Sequence, residues 1–235
     1  MNRQKLLIRF KKEGDLRLIS HRDLARAFER LFRRIQLPLA MSQGFHPHPK
    51  ISFSSALALG IEGSDEIVEV VLDEPVEITD VLLKLNQQAP AGLVVKDIQE
   101  VLPGQKPKVN SATYQIRIPD ERIDVLKTEI EKFLNADCIN VERKKRKEPI
   151  NIRPGVELLE LHGNVLQMKL SIRQEFSVKP REVLTALQIQ DLEMHGSWLT
   201  RSKLELKDDA DQPAPNPADG IRPRDSHFEP ESNQL

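Results

Sequence analysis

The order in which strand and helix patterns follow one another is the feature that most constrains the fold of this chain. Among the first hundred residues, strand-like stretches at 4–11 and 66–72 are interspersed with helical patterns that begin near Ser20 and Val76. The same order of elements returns between residues 112 and 206, although the two halves share no residue-level identity. The chain therefore contains two similar successions of elements, each about 100 residues long.

Each succession has the order β-α-β-β-α-β, which is that of the ferredoxin-like split βαβ unit. The sequence thus predicts an α+β fold with two ferredoxin-like (βαββαβ) domains in tandem. The expected N-terminal domain is 1–102, and the expected C-terminal domain is 112–207. Between them, residues 103–111 are rich in proline and predict a linker, and residues 208–235 predict a disordered, acidic, proline-rich tail.

The first predicted helix combines an apolar stripe with a face of nearly one charge. Apolar residues recur at spacings of three and four from Leu24 to Ile35. Arg22 and Arg26 lie on roughly the opposite side, together with further arginines. Because solubility needs only mixed charge, a face of one sign favours phosphate binding. The alternative is a solvated polar face.

The loop after this helix, residues 42–50, has the sequence SQGFHPHPK. Gly44 permits a positive φ, and two prolines hold His46 and His48 apart in extended backbone. Phe45 could stack on a base, and the histidines could contact phosphates. The alternatives are a Phe45 that fills the core and histidines without a task. The H-x-H spacing also suits a metal, but too few further ligands lie nearby to predict a metal site.

A second basic feature is the run RKKRK at residues 143–147. Five adjacent like charges repel one another unless they are solvated or paired with an anion. Ile150 and Ile152 follow the run, and prolines flank them, so we expect an ordered arm that contacts RNA or another polyanion. A flexible surface loop is the alternative.

The charge distribution supports a polyanionic partner. The net charge of the whole chain is only -1, but residues 1–50 carry 12 Lys/Arg against 4 Asp/Glu, and residues 51–110 carry 4 against 10. A basic part beside an acidic part indicates an oriented polyanion partner rather than a generally basic protein.

These features together predict a set of polyanion-binding residues. The set is His21, Arg22, Arg26, Gly44, His46, His48, Lys50, Arg143, Lys144, Lys145, Lys147 and Arg153. The members between residues 21 and 50 are expected to form one anion site, with His21 at the positive end of the helix dipole. No catalytic residue, metal ligand or cofactor is predicted. In an alternative interpretation, His21 and His46 act as acid and base in RNA cleavage.

Several classes of protein are disfavoured by what the sequence lacks. It contains no Walker loop, no dinucleotide-binding GxGxxG and no GxSxG elbow. It has neither an apolar run near 18 residues nor a signal-like N-terminus, so we expect a cytoplasmic protein without membrane association. The single cysteine, Cys138, excludes an internal disulfide and precedes a strand pattern, so a buried thiol is expected.

Two stretches resemble a known family. LRLISHRDLARAFERLFRRIQLPLAMSQGFHPHPKISF, residues 16–53, resembles the opening of the radical-SAM-linked family of unknown function, and VERKKRKEPINIRPGVELLEL, residues 141–161, resembles its second-half motif. The resemblance implies a bacterial protein encoded beside, or fused to, a B12-type radical SAM protein. The order of elements is also similar to that of CRISPR repeat-processing RNA endonucleases, but their glycine-rich loop near the C-terminus is missing.

The sequence therefore predicts a radical-SAM-associated accessory protein. It is expected to bind RNA (tRNA or rRNA) or another polyanion and to present it to a modification enzyme, without catalysis of its own. The sequence carries no DNA-specific signal. The competing hypothesis is a metal-independent endoribonuclease.

Overall fold

The computed structural model describes residues 3–102, 105, 108–144, 146–172 and 177–207. The predicted tail, Lys145 and part of the predicted linker lie outside these residues. The described part forms ten strands and four α-helices. The strands are β1 (Gln4–Lys12), β2 (Ile51–Phe53), β3 (Glu62–Leu72), β4 (Leu93–Glu100), β5 (Lys108–Arg117), β6 (Asn140–Val141), β7 (Ile150–Asn151), β8 (Val156–His162), β9 (Val165–Ser171) and β10 (Thr200–Lys207). The helices are α1 (His21–Arg34), α2 (Ile78–Gln88), α3 (Ile123–Asn135) and α4 (Pro180–Ala186).

Helix α1 begins where its cap predicts. The Ser20 hydroxyl accepts a hydrogen bond from the Asp23 backbone N–H at 3.2 Å, which satisfies one of the free donors of the first turn. Leu24, Phe28 and Leu31 are buried, so the predicted apolar stripe faces the core. The arginines of the opposite side stay exposed.

Eight strands form one sheet, in the order β4-β1-β3-β10-β5-β9-β8, with β2 on β3. The N-terminal half contributes β2-β3-β1-β4, and the C-terminal half contributes β10-β5-β9-β8. The halves meet where β10 pairs with β3 in parallel, with Thr200 opposite Glu62 and Arg201 opposite Gly63. The mixed helix-and-strand class is confirmed, but two separate tandem domains are not, because one sheet contains strands of both halves.

Side-chain packing also crosses between the halves. One apolar cluster lies within the N-terminal half and includes Phe10, Phe28 and Leu85. The larger cluster contains most of the apolar residues of the C-terminal half, together with Leu57 and Ile61 of the N-terminal half. The loop between β2 and β3 therefore belongs to the core of the other half.

A buried ion pair lies at the junction of β3 and β10. The Arg201 guanidinium donates to both carboxylate oxygens of Glu66, with Nε 2.7 Å from Oε1. It also donates to the Ser55 hydroxyl and to the carbonyl oxygens of Ser55 and Ala56. A Cβ at Gly63 would overlap the Glu66 side chain, so glycine is needed there for the close approach. We call Arg201, Glu66 and the neighbouring buried Lys12 the seam cluster.

The boundary between the halves differs from the prediction at one point. Strand β5 begins at Lys108, within the stretch 103–111 that the sequence predicts as a linker. Backbone pairing of Lys108 with Lys207 and of Val109 with Leu206 explains the difference. A strand can extend into a proline-rich stretch where a partner strand supplies the hydrogen bonds.

Two further expectations can be compared with the structure. Cys138 is exposed, so the expectation of a buried thiol is wrong. Its sulfur lies 3.2 Å from the Asn140 side-chain oxygen, just before the short strand β6 rather than inside the sheet. Throughout the described ranges, no helix has the length and apolar character needed to cross a membrane.

Candidate functional site

Four basic residues, Arg143, Lys144, Arg146 and Lys147, lie at the end of a two-stranded ribbon. Strands β6 and β7 pair through Asn140 with Asn151 and through Val141 with Ile150. Ile150 and Ile152 are buried, and they anchor the ribbon to the body of the protein. We call residues 142–149, between the two strands, the basic arm. Its base is ordered by these contacts, as the two isoleucines predict.

The basic arm and helix α4 enclose a pocket of about 800 Å³. Basic side chains dominate its lining, and they come from two segments about 35 residues apart in the chain. The lining consists of Asn140, Val141, Glu142, Arg143, Lys144, Arg146, Lys179, Arg181, Glu182 and Thr185. Five of these residues are basic and two are acidic. We call this cavity the basic pocket.

Arg143 is fixed within the basic pocket by a two-pronged salt bridge. Its Nε and Nη2 donate to the two carboxylate oxygens of Glu182 at 2.7 and 2.8 Å, and Nη2 also donates to the Ser177 carbonyl oxygen at 2.6 Å. Fork-to-carboxylate geometry of this kind is among the strongest side-chain pairings. Arg143 therefore ties the arm to the start of α4 through the Glu182 carboxylate.

Arg181 is fixed in the same way on the other side of α4. It donates to both carboxylate oxygens of Glu193 at 2.7 and 2.8 Å and to the Leu59 carbonyl oxygen at 2.9 Å. The hydrogen bond with Glu193 raises the pKa of Arg181 although burial opposes this. Through Leu59 the contact also ties α4 to the N-terminal half.

In the described part of the chain, three cations of the basic pocket make no salt bridge of this kind. Lys144, Arg146 and Lys179 are exposed. Within the ranges that the structure describes, the salt bridges made by the pocket lining are those of Arg143 and Arg181. The pocket thus combines two immobilised guanidinium groups with three available cations, an arrangement suited to phosphate groups.

The remaining predicted residues of this region lie elsewhere. Lys147 is exposed but does not line the pocket. Arg153 lies 5.9 Å from the Phe133 ring and donates to the Leu134 carbonyl oxygen at 3.1 Å. It therefore caps the end of α3. Lys145 lies outside the described residues.

Three basic lining residues, Arg146, Lys179 and Arg181, were not predicted from the sequence. Arg146 lies inside the predicted basic run, and the other two flank Pro180, the first residue of α4. The sequence shows that these residues are basic. It does not show that α4 lies beside the arm, because a contact over such a separation depends on the tertiary fold.

The second candidate region is the loop after α1, which the structure shows as a hairpin. Met41 pairs with Pro49. The Ser42 backbone N–H donates to the His48 carbonyl oxygen at 2.8 Å, and the His48 N–H donates to the Ser42 hydroxyl at 3.0 Å. Gly44 has a φ of 128°, the positive value that the sequence predicts. We call residues 41–49 the finger.

The finger interrupts an edge of the sheet. Leu39 pairs with Leu72, and β2 resumes the antiparallel pairing with Ile51 opposite Val70. The finger is the excursion between these two pieces of one edge. Phe45 at its tip is 102% exposed, so Phe45 does not fill the core.

The N-terminus of α1 contacts the strand that follows the finger. The His21 ring packs edge-on against the Phe53 ring, with centroids 4.9 Å apart. Arg26 lies 3.6 Å from the Asp23 carboxylate, and Arg22 is exposed. The expected closure of one anion site between helix and loop residues stays a prediction, as does the acid–base role of His21 and His46.

The H-x-H spacing of the finger does not build a metal site by itself. In the part of the chain described here, no group of three or more His, Cys, Asp or Glu side chains is placed to hold a metal ion. His46 and His48 are both exposed at the finger.

Comparisons with known proteins place the chain in a family. No curated protein matches it. Two solved structures are similar over 88% of this chain and 99% of their own. One is an unknown protein from Galdieria sulphuraria, with 10% identity and a TM-score of 0.28. The other, described as a "putative glycine cleavage system transcriptional repressor", has 11% identity and a TM-score of 0.26. TM-scores this low support no conclusion about fold or function.

A family model gives a more informative match. It covers residues 5–180 and is described as an uncharacterized protein conserved in bacteria, DUF2344. The matched range contains α1, the finger and the basic arm, and ends at the first residue of α4. Because the match extends over most of the chain, this protein belongs to the DUF2344 family of uncharacterized proteins conserved in bacteria.

Proposed function

We propose that this protein binds RNA, or another polyanion whose charges are spaced as in RNA, through the basic pocket. The observation that supports this most is that some cations of the pocket are paired with carboxylates and others are exposed. Arg143 and Arg181 are held by carboxylates, whereas Lys144, Arg146 and Lys179 are exposed. Cations that face solvent in a concave site attract phosphates and release counterions when they bind them.

The immobilised arginines make the pocket a preformed site. Arg143 holds the arm against α4, and Arg181 holds α4 against the loop between β2 and β3. The free cations are therefore carried by anchored backbone, and less conformational entropy is lost when a ligand binds. A volume of about 800 Å³ is enough for a few nucleotides of a backbone rather than for a single inorganic anion.

The biological role proposed for this binding is that of an accessory protein. The chain would present the RNA to a modification enzyme of the radical SAM class and would not itself catalyse the reaction. The resemblance of residues 16–53 and 141–161 to the radical-SAM-linked family supports this part of the proposal. The family description itself does not mention radical SAM proteins.

We also interpret the architecture as two fused ferredoxin-like units. In each half the strand order follows the pattern 4-1-3-2 of that fold, as β4-β1-β3-β2 and as β10-β5-β9-β8. The parallel contact between β3 and β10 joins the two units edge to edge. Limited proteolysis between β4 and β5 tests this interpretation, because two units would survive as separate protected fragments.

The salt dependence of RNA binding tests the proposed function. In the double variant Lys144→Ala/Arg146→Ala, affinity for a single-stranded RNA should fall, and the slope of log K against log salt should decrease by about 0.7 per lost phosphate contact. The matched control is Lys127→Ala/Lys132→Ala on α3, where both lysines are paired with carboxylates on the same helix. Equal slopes for the wild type and the pocket variant would contradict the proposal. Cleavage of the RNA by the purified protein would favour the endoribonuclease instead.

A further inference from the structure

Phe45 is the most exposed large apolar side chain of the described residues. Its exposed fraction of 102% exceeds that of the next, Met194, at 81%. An aromatic ring of this size normally contributes to folding by leaving water. Here the ring contributes nothing to the core, so at the tip of the finger it is accessible to a ligand.

The finger holds this ring in a defined place. The pairing of Met41 with Pro49 and the two hydrogen bonds between Ser42 and His48 hold the backbone of the finger in place. At the base of the hairpin, the Lys50 N–H donates to the Ala40 carbonyl oxygen at 2.8 Å. Because hydrogen bonds close the hairpin both within the finger and at its base, the backbone that carries Phe45 is already ordered. Stacking of a base on the ring therefore costs little additional conformational entropy.

No acidic residue lies near Phe45 in the sequence. Between Glu29 and Glu62 the chain contains no Asp or Glu, and this interval includes the whole finger and β2. His46 and His48 both follow Phe45 in the sequence and are exposed. Lys50 follows at the base. An aromatic face beside such donors matches a nucleotide, whose base is planar and apolar on its faces and whose phosphate is anionic.

The size of the apolar surface argues against a protein partner. Exposed apolar patches of several hundred Å² mark sites where folded proteins dock. The other large apolar residue exposed in the finger is Met41, at 41%. One ring surrounded by polar groups is complementary to one base.

We propose that Phe45 stacks on an unpaired base of a bound RNA, with His46 and His48 directed to the adjacent phosphates. This inference rests on the proposed function and deepens it, since it names single-stranded RNA, such as a loop or an end, as the ligand. Bases inside a duplex are stacked on their neighbours and offer no free face to the ring.

Three probes separate stacking from charge. They are a single-stranded RNA of about 12 nucleotides, the same strand in a blunt duplex, and inorganic polyphosphate, which has the charge without bases. Phe45→Ala should weaken binding of the single strand by about 5- to 150-fold, the range expected for one lost base–aromatic stack. Binding of polyphosphate and duplex should not change, and Phe45→Trp should retain binding of the single strand. Met194→Ala, which removes another exposed apolar side chain, is the control and should behave as the wild type.

The failure of this inference is distinguishable from that of the proposed function. If the wild type binds none of the three probes, the proposed function is overturned. If the wild type binds RNA and Phe45→Ala binds it equally well, stacking is overturned while the proposed function stands, and the ring is left for a protein partner. An equal loss of polyphosphate binding in Phe45→Ala would also overturn stacking, since polyphosphate has no base.

Discussion

The seam cluster and the basic pocket place the same kinds of side chain in opposite settings. In the seam cluster, the Arg201 and Glu66 side chains are only 1% and 4% exposed, and the guanidinium group is surrounded by acceptors. In the basic pocket, Arg143 is paired but Lys144 faces solvent. The difference teaches that the surroundings of a cation decide its use. A buried and fully paired cation joins parts of the fold, whereas an exposed one is available to a ligand.

Electrostatics within the seam cluster show how strongly its members depend on one another. Burial works to lower the pKa of Arg201, but hydrogen bonds and attraction from Glu66 outweigh burial and raise it. Burial lowers the pKa of the Lys12 ammonium group, attraction to Glu66 opposes this, and repulsion from Arg201 adds to it. Glu66 is thus the carboxylate on which both cations rely, and its loss would leave the two buried cations without their shared carboxylate.

The largest expected effect comes from removing Arg201. The variant Arg201→Ala should lose about 3–5 kcal/mol of unfolding free energy, because the buried Glu66 carboxylate would lose the guanidinium group that donates to both of its oxygens. Urea unfolding followed by circular dichroism measures the loss. The triple replacement Arg201→Met/Glu66→Leu/Lys12→Met removes all three charges of the seam cluster and should recover much of it. A loss below about 1 kcal/mol in the single variant would show that the seam does not depend on this pair.

A smaller effect is expected for the paired arginine of the basic pocket. Arg143→Ala should lower the unfolding free energy by about 1.5–3 kcal/mol, the range for a hydrogen bond to a charged group. Amide hydrogen exchange should also speed up in the basic arm, because its tie to α4 is lost. The control in the same arm is Arg146→Ala, which should change stability by less than about 0.5 kcal/mol. Equal effects of the two variants would break the distinction between paired and available cations.

The smallest effect concerns a carboxylate in an intermediate setting, Glu205 on β10. The Lys169 ammonium group, 2.6 Å away, lowers the pKa of Glu205 to about 2, with the Lys203 ammonium and the Ser111 hydroxyl as further donors. A carboxylate with a lowered pKa stabilises the fold above its unfolded-state value, and this contribution is lost as the pH falls toward 2. The difference in Tm between the wild type and Glu205→Gln should therefore be greatest near neutral pH and shrink on acidification.

Thermal unfolding between pH 7 and about pH 2.5 covers this window. Glu157→Gln is the matched control, because its carboxylate lies farther from the same Lys169 Nζ, at 3.5 Å. It should give a smaller pH-dependent difference. A difference for Glu205→Gln that does not vary with pH would mean that its charge contributes nothing to stability.

Local patterns were predicted well from the sequence. The start of α1 near Ser20 and its apolar stripe, the positive φ that Gly44 permits, and the anchoring of the basic arm by Ile150 and Ile152 all follow from residues close together in the chain. These features depend on hydrogen bonds and side-chain packing over a few residues, so the local sequence carries enough information.

Predictions that needed distant residues were less complete. The linker prediction missed that Lys108 already pairs with Lys207. Lys12 was not singled out from the sequence, yet it is buried beside Glu66. The expectation of a buried Cys138 failed because β6 is a short ribbon outside the main sheet. Each outcome depends on which segment packs against the residue.

The sequence by itself thus determined the elements, their order, and the presence of two basic segments and an unusual loop. The tertiary structure alone decided that β3 and β10 meet in parallel, that Arg201 and Glu66 pair across 135 positions of sequence, and that Lys179 and Arg181 complete a pocket with the basic arm. The physical reason is that hydrogen-bonding patterns along one element repeat every few residues, whereas strand neighbours and buried ion pairs depend on the register between elements. The sequence shows which residues are charged, but the tertiary fold determines which of them form pairs.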